Sequence, residues 1–519
     1  MLKRFSPQTL RVEKSFLQDL LIALSAANLI FFKQWSDLSL FSQTVTQREW
    51  LYEKVSASLA TYLAISFDVG VIALFFFVAL RLSRRVGNAA WAGVHIALAL
   101  SLFFFFNGVR LSMRLGYLTS TLGNLVCATL LVVTLVTCLI FAWRNPERSI
   151  SLVRAFIVIF APFVLVTFSY SVTGAMKRLK SREPRIVSNA HPRRAHRPKL
   201  IWWLFDETDY RITFVDRPKD LKLPELDRLN DESFSASNAY PPGRYTSVSI
   251  PSYFSGRHVT EPIFVDADTV KATFDGAKTA EIWRATSNLF GELSTLGAKS
   301  TAIGWYLPYC RMLYATECLR FPHYNYFKRP YSEDFSTSAL NFIEELTYLR
   351  PNRAMFHIQT YEGIRNAALA ALKRDDLDFT FVHWPAPHAP WIFDRKTMQL
   401  TDANAKGVEG YFDNLALMDA TLGRLRKEME AEGIWDRSTI LLTSDHGWNS
   451  VKDYDGKKDY RIPYLLKFAG QHERFNYANS FDALLTKDLW KAIWNEQVKD
   501  AQGAAAWIDA RRETPTFSP

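Results

Sequence analysis

Three short clusters carry residue types suited to metal-assisted chemistry. Asp206 and Glu207 end the apolar run Lys199-Leu200-Ile201-Trp202-Trp203-Leu204-Phe205. His383 closes a second run that begins at Phe379, and His388 follows in Trp384-Pro385-Ala386-Pro387-His388-Ala389-Pro390. Asp445 and His446 follow a third run, Ser438-Thr439-Ile440-Leu441-Leu442-Thr443-Ser444. Carboxylate oxygen and imidazole nitrogen are ordinary ligands of a divalent cation, and both Zn²⁺ and Mn²⁺ suit such a set. Each cluster also has a plainer reading. Asp-His-Gly is a common turn after a strand, and His383 beside Trp384 reads equally as a core residue. The prolines fix backbone angles in the loop that holds the two histidines. Between the first two runs, Gly243 to Gly256 offers the hydroxyls of Thr246, Ser247 and Ser249 ahead of Pro251. A hydroxyl is a poor nucleophile at neutral pH, and a bound cation lowers its pKa and orients it. A helix starting there would point its first amides at an anionic phosphate. A Ser/Thr-rich turn and cap is the plain alternative.

These residues need elements to position them. Apolar runs bounded by polar residues read as buried strands of a parallel sheet. Asn414 to Glu430 carries Leu415, Met418, Leu422, Leu425 and Met429 at helical spacing. Strands alternating with helices predict an α/β fold with a mostly parallel central sheet, whose ligands bind at the carboxyl ends of strands. All three runs end in candidate ligands there. Cys310 and Cys318, eight apart, read either as a disulfide in an oxidising compartment or as two buried thiols.

The first part of the chain has another texture. Apolar segments at about 16–33, 58–81, 89–106, 120–143 and 152–173 each approach the ~20 residues that a membrane helix needs. They predict a five-helix transmembrane domain over 1–175. A basic linker, 176–198, then leads to a catalytic domain at 199–470 and a peripheral helical extension at 471–519. Charge divides at the same place. Residues 1–199 hold 24 Lys+Arg against 8 Asp+Glu, a net of +16, and the remainder carries −6. That asymmetry excludes a uniformly basic nucleic-acid binder. Arg81, Arg84, Arg85, Arg144 and Arg148 lie in loops on the N-terminal side of the membrane, which the positive-inside rule assigns to the cytoplasm. The C-terminal domain is then exported. Asp19, Asp68, His95 and Arg154 interrupt the spans. Asp68 is the mid-span candidate for a contact between helices, whereas snorkelling accounts for Asp19 and Arg154 near span ends.

Taken in this order, the motifs resemble the sulfatase branch of the alkaline phosphatase superfamily. They are most similar to membrane-anchored enzymes that transfer phosphoglycerol or phosphoethanolamine, such as lipoteichoic acid synthases and lipid A phosphoethanolamine transferases. The resemblance implies Glu207 as a metal-binding carboxylate, with Asp206 as a further acid, and Thr246 as nucleophile and metal ligand. It implies Asp445 and His446 as the Asp-His metal pair. It also implies His383 and His388 as substrate-side histidines, and it matches Tyr411 to Asp419 to the helix before the last metal strand. Three departures stand out. Phosphoethanolamine transferases have a disulfide-bonded cysteine near the nucleophile, and none occurs here. Sulfatases that use formylglycine modify a Cys or Ser two residues before this proline and need an Arg two after it. Ser249 is in place, but Tyr253 replaces the Arg. The family's late histidine is missing between His446 and Gly470, leaving Lys457, Lys458 or Arg461 as candidate phosphate contacts.

The function implied is that of a bacterial inner-membrane enzyme with a periplasmic catalytic domain. It uses Zn²⁺ or Mn²⁺ to move a phospho-substituent from a phospholipid donor to an envelope glycan or glycolipid, through a phospho-threonine. The alternatives are a membrane-bound sulfatase or phosphodiesterase, with water as acceptor, and a catalytically degenerate envelope scaffold.

Overall fold

A computed structural model of the chain describes residues 16–38, 59–112, 129, 144–180, 197–264, 270–321, 335–346, 353–402, 407–512 and 515. It divides into two compact units. One comprises Met1–Thr46, Val55–Glu183 and Arg329–Arg350, and the other comprises Gln47–Lys54, Pro184–Lys328 and Pro351–Pro519.

The second unit is built on an eight-stranded sheet. Its strands are β1 (Lys199–Phe205), β2 (Phe234–Ala236), β3 (Ser300–Trp305), β4 (Glu317–Phe321), β5 (Phe379–Trp384), β6 (Ser438–Thr443), β7 (Tyr464–Lys467) and β8 (Phe475–Tyr477). Their spatial order is β8-β2-β7-β6-β1-β5-β3-β4, with β7 alone running against its neighbours. Alternation explains why β1 is apolar from Leu200 onward. Leu200, Trp202 and Leu204 enter the core on one face, while Ile201, Trp203 and Phe205 enter the core on the other. Helices cover both faces, as a largely parallel sheet requires. Thr246–Ser255 and Thr486–Trp494 cover the first, and Arg353–Leu372 and Val408–Ala431 the second.

Residues 471–519 are not the peripheral cap expected from sequence. Phe475–Tyr477 is an edge strand of the main sheet. Trp490 is buried, 5.4 Å from Phe379 and 6.4 Å from Trp202 between ring centroids. Cys310 and Cys318 form a disulfide that ties the helical turn Tyr309–Met312 to the edge strand β4.

The first unit is helical. It contains α1 (Phe16–Ile30), α2 (Phe32–Leu38), α3 (Leu59–Val86), α4 (Asn88–Ser112), α5 (Pro146–Ile159) and α6 (Ala161–Lys180). Three stretches, Leu59–Val86, Asn88–Val109 and Glu147–Thr173, are long and apolar enough to cross a membrane, and Phe16–Ile30 is a shorter apolar helix. The chain is therefore membrane-anchored. Of the five spans expected, 120–143 lies outside the described residues apart from Thr129, as does most of the linker 176–198. Polar groups pair inside the bundle: Thr167 Oγ1 donates to Asn28 Oδ1 at 3.0 Å, and the Ser66 and Ser171 hydroxyls are 2.9 Å apart. Asp68 is buried with no hydrogen-bond partner at Oδ2. Asp19 and Arg154 do not snorkel. Both are buried, and they face each other at 3.7 Å.

One more helix, α7 (Phe335–Leu346), belongs to this unit although its sequence lies within the second half of the chain. Phe342 is buried in the bundle core, and the Phe335 ring meets Phe67 of α3 edge-on at 5.5 Å.

Candidate active site

The candidate site forms where β6, β1 and β5 lie side by side. Leu204 is level with Thr443 on one side and His383 on the other, so the residues just beyond these strand ends converge. Asp206, Asp445 and His446 come together, with ligand atoms all within 4.8 Å of one another and all three residues buried. Among the described residues, both Asp206 oxygens and Asp445 Oδ2 lack a hydrogen-bond partner. Buried carboxylates without donors are costly unless a cation meets them. Burial and the adjacent Asp445 carboxylate push the Asp206 carboxyl well above the usual range. Against the upward push of burial, His446 and His383 hold Asp445 below it. Burial lowers His446, and the carboxylates of Asp445, Glu207 and Asp206 more than offset it, for a net rise. A carboxylate with neither oxygen hydrogen-bonded, a second with one oxygen free, an imidazole and a neighbouring hydroxyl fit a divalent metal, with Asp206, Asp445, His446 and Thr246 to hold it.

Thr246 is the first residue of the helix Thr246–Ser255, and its Oγ1 lies 3.3 Å from His446 Nε2. The other hydroxyls lie differently. Ser249 is fully buried, and Ser247 is half-buried at the helix start. Tyr253, at the position of the formylglycine-associated Arg, is a core residue whose hydroxyl donates to the Ser444 carbonyl at 3.0 Å. It contributes packing where an Arg would contribute charge.

Glu207 is buried just beyond β1, beside the cluster. Its φ of +62° puts it in the left-handed region, which turns its N–H toward Asp445 Oδ1 at 3.1 Å. Its carboxylate accepts from Asn449 Nδ2 at 2.6 Å. Asp206, expected only as an additional acid, is the carboxylate grouped with the Asp-His pair.

The two histidines divide. His383 is fully buried, with Nε2 3.4 Å from Asp206 Oδ2 and Nδ1 2.7 Å from the Tyr309 hydroxyl. Burial pushes it down to about 4, so it is neutral at pH 7. Those neighbours suit one tautomer, with Nδ1 accepting from Tyr309 and the proton on Nε2, which faces Asp206 Oδ2 without closing a hydrogen bond. Its reach is to Asp206 rather than to solvent. His388 is half-buried, and its Nδ1 meets the Ala389 carbonyl. Burial lowers it, but Glu207 and Asp206 more than offset this and raise it overall.

Lys457 and Lys458 are exposed. No hydrogen bond or ion pair among the described residues joins either to the cluster, and Lys458 Nζ instead sits 5.0 Å from the centre of the Tyr460 ring. Arg461 is taken up by Asp459, with an Nη2 to Oδ2 distance of 2.5 Å, and by the Ser237 carbonyl.

Several positioning residues carry no sequence signal of their own. Asn414, buried, donates to the His388 carbonyl at 3.1 Å and accepts from the Ile392 amide at 2.9 Å, which secures the histidine loop. The Tyr411 hydroxyl donates to the Glu207 carbonyl at 2.8 Å and accepts from the Asp209 amide at 3.0 Å. Ser444 Oγ reaches the Phe205 carbonyl at 2.7 Å, pinning β6 to β1 at the level of the ligands.

Similar proteins were found in three comparisons. Lipoteichoic acid synthase 1 of Bacillus subtilis (strain 168) is 25% identical over 117 residues, covering 19% of this chain and 18% of that protein's length. Among solved structures, a phosphonate monoester hydrolase of Agrobacterium radiobacter is 14% identical, with a TM-score of 0.37 over 57% of this chain and 74% of its own. The PsFucS1 sulfatase from Pseudoalteromonas sp. is 14% identical, with a TM-score of 0.41 over 58% and 67%. The sequence profile of the sulfatase family matches residues 212–486, which include Thr246, His383, His388, Asp445 and His446. With more than half of its length matched and its acids and histidines gathered at strand ends, the chain belongs to the sulfatase family, whose fold serves enzymes of hydrolase or transferase type.

Proposed function

We propose that this chain is a membrane-anchored, metal-dependent phosphotransferase. It moves phosphoglycerol or phosphoethanolamine from a phospholipid donor to a glycan or glycolipid of the bacterial envelope, working on the outer side of the inner membrane. The observation that carries the reading is the Thr246 hydroxyl, placed at a helix N-terminus beside His446 and the buried Asp206–Asp445 pair. The short likeness to a lipoteichoic acid synthase supports the choice of donor. Membrane anchoring confines enzyme and lipid to one surface.

Asp206, Asp445, His446 and Thr246 would hold Zn²⁺ or Mn²⁺, which would supply positive charge to acidify the hydroxyl and offset charge developing on phosphate. Thr246 Oγ attacks the donor phosphorus. The P–O bond to diacylglycerol breaks, and the leaving alkoxide takes a proton. A phospho-threonine diester remains. An acceptor hydroxyl then attacks the same phosphorus, gives up its proton and releases Thr246. His388, the more accessible histidine, is placed to contact phosphate oxygens or to move those protons. His383 orients Asp206 from below. First-turn amides of the nucleophile helix add stabilisation to the phosphate oxygens.

Hydrolysis uses the same residues with water as acceptor, and the family assignment favours keeping that reading beside the first. The test is intact and peptide mass spectrometry of the full-length protein from its native membrane. The expected result is an adduct on Thr246 whose mass names the transferred group. Incubation with a glycolipid acceptor should discharge it into that acceptor. Discharge into water alone, at a rate unaffected by acceptor, selects the hydrolase. An unmodified Thr246 together with a fully active Thr246→Ala variant overturns both.

A further inference from the structure

The helical unit holds a second concentration of charge that the chemistry at Thr246 does not use. Asp19, in the first turn of α1, is fully buried. Three guanidinium groups converge on it. Arg84 Nη2 lies at 2.5 Å, Arg154 Nη2 at 3.7 Å and Arg81 Nη1 at 3.8 Å. Arg81 and Arg84 come from the end of α3, and Arg154 comes from α5. Trp91, near the start of α4, presents its ring to two of them, with Arg84 Cζ 5.2 Å and Arg154 Cζ 5.8 Å from its centroid. One turn on, His95 bonds the Trp91 carbonyl through Nδ1, and its buried Nε2 has no partner among the described residues.

The charges do not balance. Among the described residues Asp19 is the only carboxylate in an ion pair with any of the three arginines, so one negative charge faces three positive ones. Arg154 is the sharpest anomaly. Its side chain is only 7% exposed, yet among the described residues neither terminal nitrogen has a hydrogen-bond partner. A guanidinium offers five N–H donors and does not deprotonate, so burial without acceptors is costly and cannot be relieved by neutralisation. A single carboxylate at 3.7 Å does not meet that demand. An anion with several oxygens would, and planar guanidinium forks match phosphate oxygens two at a time.

We infer that this cluster is a binding site for a phosphate-bearing anion. The anion's oxygens are met by Arg154 and Arg84, with His95 Nε2 as a further contact. Arg81, 42% exposed, stands at the mouth. Arg84 lies near the end of one apolar span and Arg154 near the beginning of another, a level at which lipid headgroups sit. The phosphate therefore comes either from an anionic phospholipid or from a soluble phosphate compound. Either would fasten α1, α3, α4 and α5 together through one shared ligand. The inference stands on the bundle alone and is independent of the chemistry proposed for Thr246.

The test uses the full-length protein in detergent, with phosphatidylglycerol, phosphatidylcholine and inorganic phosphate as probes. Native mass spectrometry should show phosphatidylglycerol retained over phosphatidylcholine, and Arg154→Gln should cut that retention by about tenfold or more. Asp19→Asn should act with the opposite sign, because it removes the competing negative charge. If inorganic phosphate raises the melting temperature over chloride at equal ionic strength, Arg154→Gln abolishes the gain and phosphatidylglycerol shows no preference, the source is a soluble phosphate. Should Arg154→Gln fail to fold, Arg81→Gln at the exposed mouth must show a smaller loss of the same sign. Equal retention of both lipids with no effect of phosphate, or retention unchanged by the arginine substitutions, overturns the site.

Discussion

The two units of this protein bury opposite things. In the α/β unit the largest side chains are inside: Trp202, Trp203, Trp305 and Trp384 are fully enclosed, and most charge lies outside. In the helical unit Phe67, Leu74 and Phe75 point outward, with Phe75 67% exposed, while Asp19, Ser25, Asn28, Thr61 and Arg154 are buried. The same chemistry gives both patterns under different solvents. Water drives apolar surface inward. Lipid gives no such drive between helices, so polar contacts and close packing hold a bundle together and apolar side chains face out. A buried polar group in the first unit is thus part of the glue. In the second it is an expense that needs a reason, and at the Asp206–Asp445–His446 cluster three carboxylate oxygens are buried without a hydrogen-bond partner among the described residues.

The comparison can be broken or sharpened in four ways. The largest effect belongs to the exception. Thr246→Ala should lower transfer by ~10⁴-fold or more while the melting temperature stays within a few degrees of the parent, read by product formation and by circular dichroism. Next come the two kinds of aromatic surface. Trp202→Ala should cost about 3–5 kcal/mol in denaturant unfolding of the α/β unit. Phe75→Ala should stay within about 0.5 kcal/mol. Phe75→Asp should oppose membrane insertion by about 2.5–3.5 kcal/mol, and normal insertion of that variant would mean the face does not meet lipid. A smaller effect follows from the Thr167–Asn28 bond. Thr167→Val should weaken the bundle by about 0.6 kcal/mol in a detergent unfolding assay, and a loss several times larger would make this bond more than ordinary helix glue.

The smallest effect is a pH dependence in the α/β unit. His258 Nε2 lies 3.3 Å from Asp482 Oδ2, and that hydrogen bond raises the His258 pKa above 6.5. A raised histidine adds stability that is fully present below its unfolded pKa and lost as pH rises through the folded one. The stability difference between parent and His258→Gln should therefore shrink from pH 6 toward pH 8, by about 1 kcal/mol at most for this part-exposed pair. A difference that grows with pH would invert the assignment.

Much of the α/β unit is legible in the sequence because its three central strands are unbroken apolar runs that end in ligand-type residues. Thr246 is legible for a related reason: it stands at a fixed distance before a proline in a hydroxyl-rich stretch. The grouping of Asp206, rather than Glu207, with Asp445 and His446 is not legible. It depends on one backbone angle, +62° at Glu207, that adjacent acids do not reveal. Tyr309, Asn414 and Asn449 are equally silent, since each acts on a partner far away in the chain. The strand Phe475–Tyr477 has three residues, too few to show a period. In the membrane half, apolar length pointed to the three described stretches long enough to cross a membrane. It could not reveal that Asp19, Arg84 and Arg154 meet, because that depends on how α1, α3 and α5 face one another.

The helix Phe335–Leu346 alters what it means to call residues 176–198 a tether. The chain passes from one unit to the other not only after Glu183 but again at Lys328 and at Arg350. Phe342 and Phe335 hold that returning segment against the bundle. A protease that cuts once between Pro184 and Lys199 would leave the catalytic half still gripped by the membrane half, like a garment fastened at a second button. A fragment beginning at Lys199 would carry an apolar helix stripped of its neighbours and would be expected to aggregate or seek detergent. Release of a freely soluble domain by a single cut would show that the second fastening does not hold.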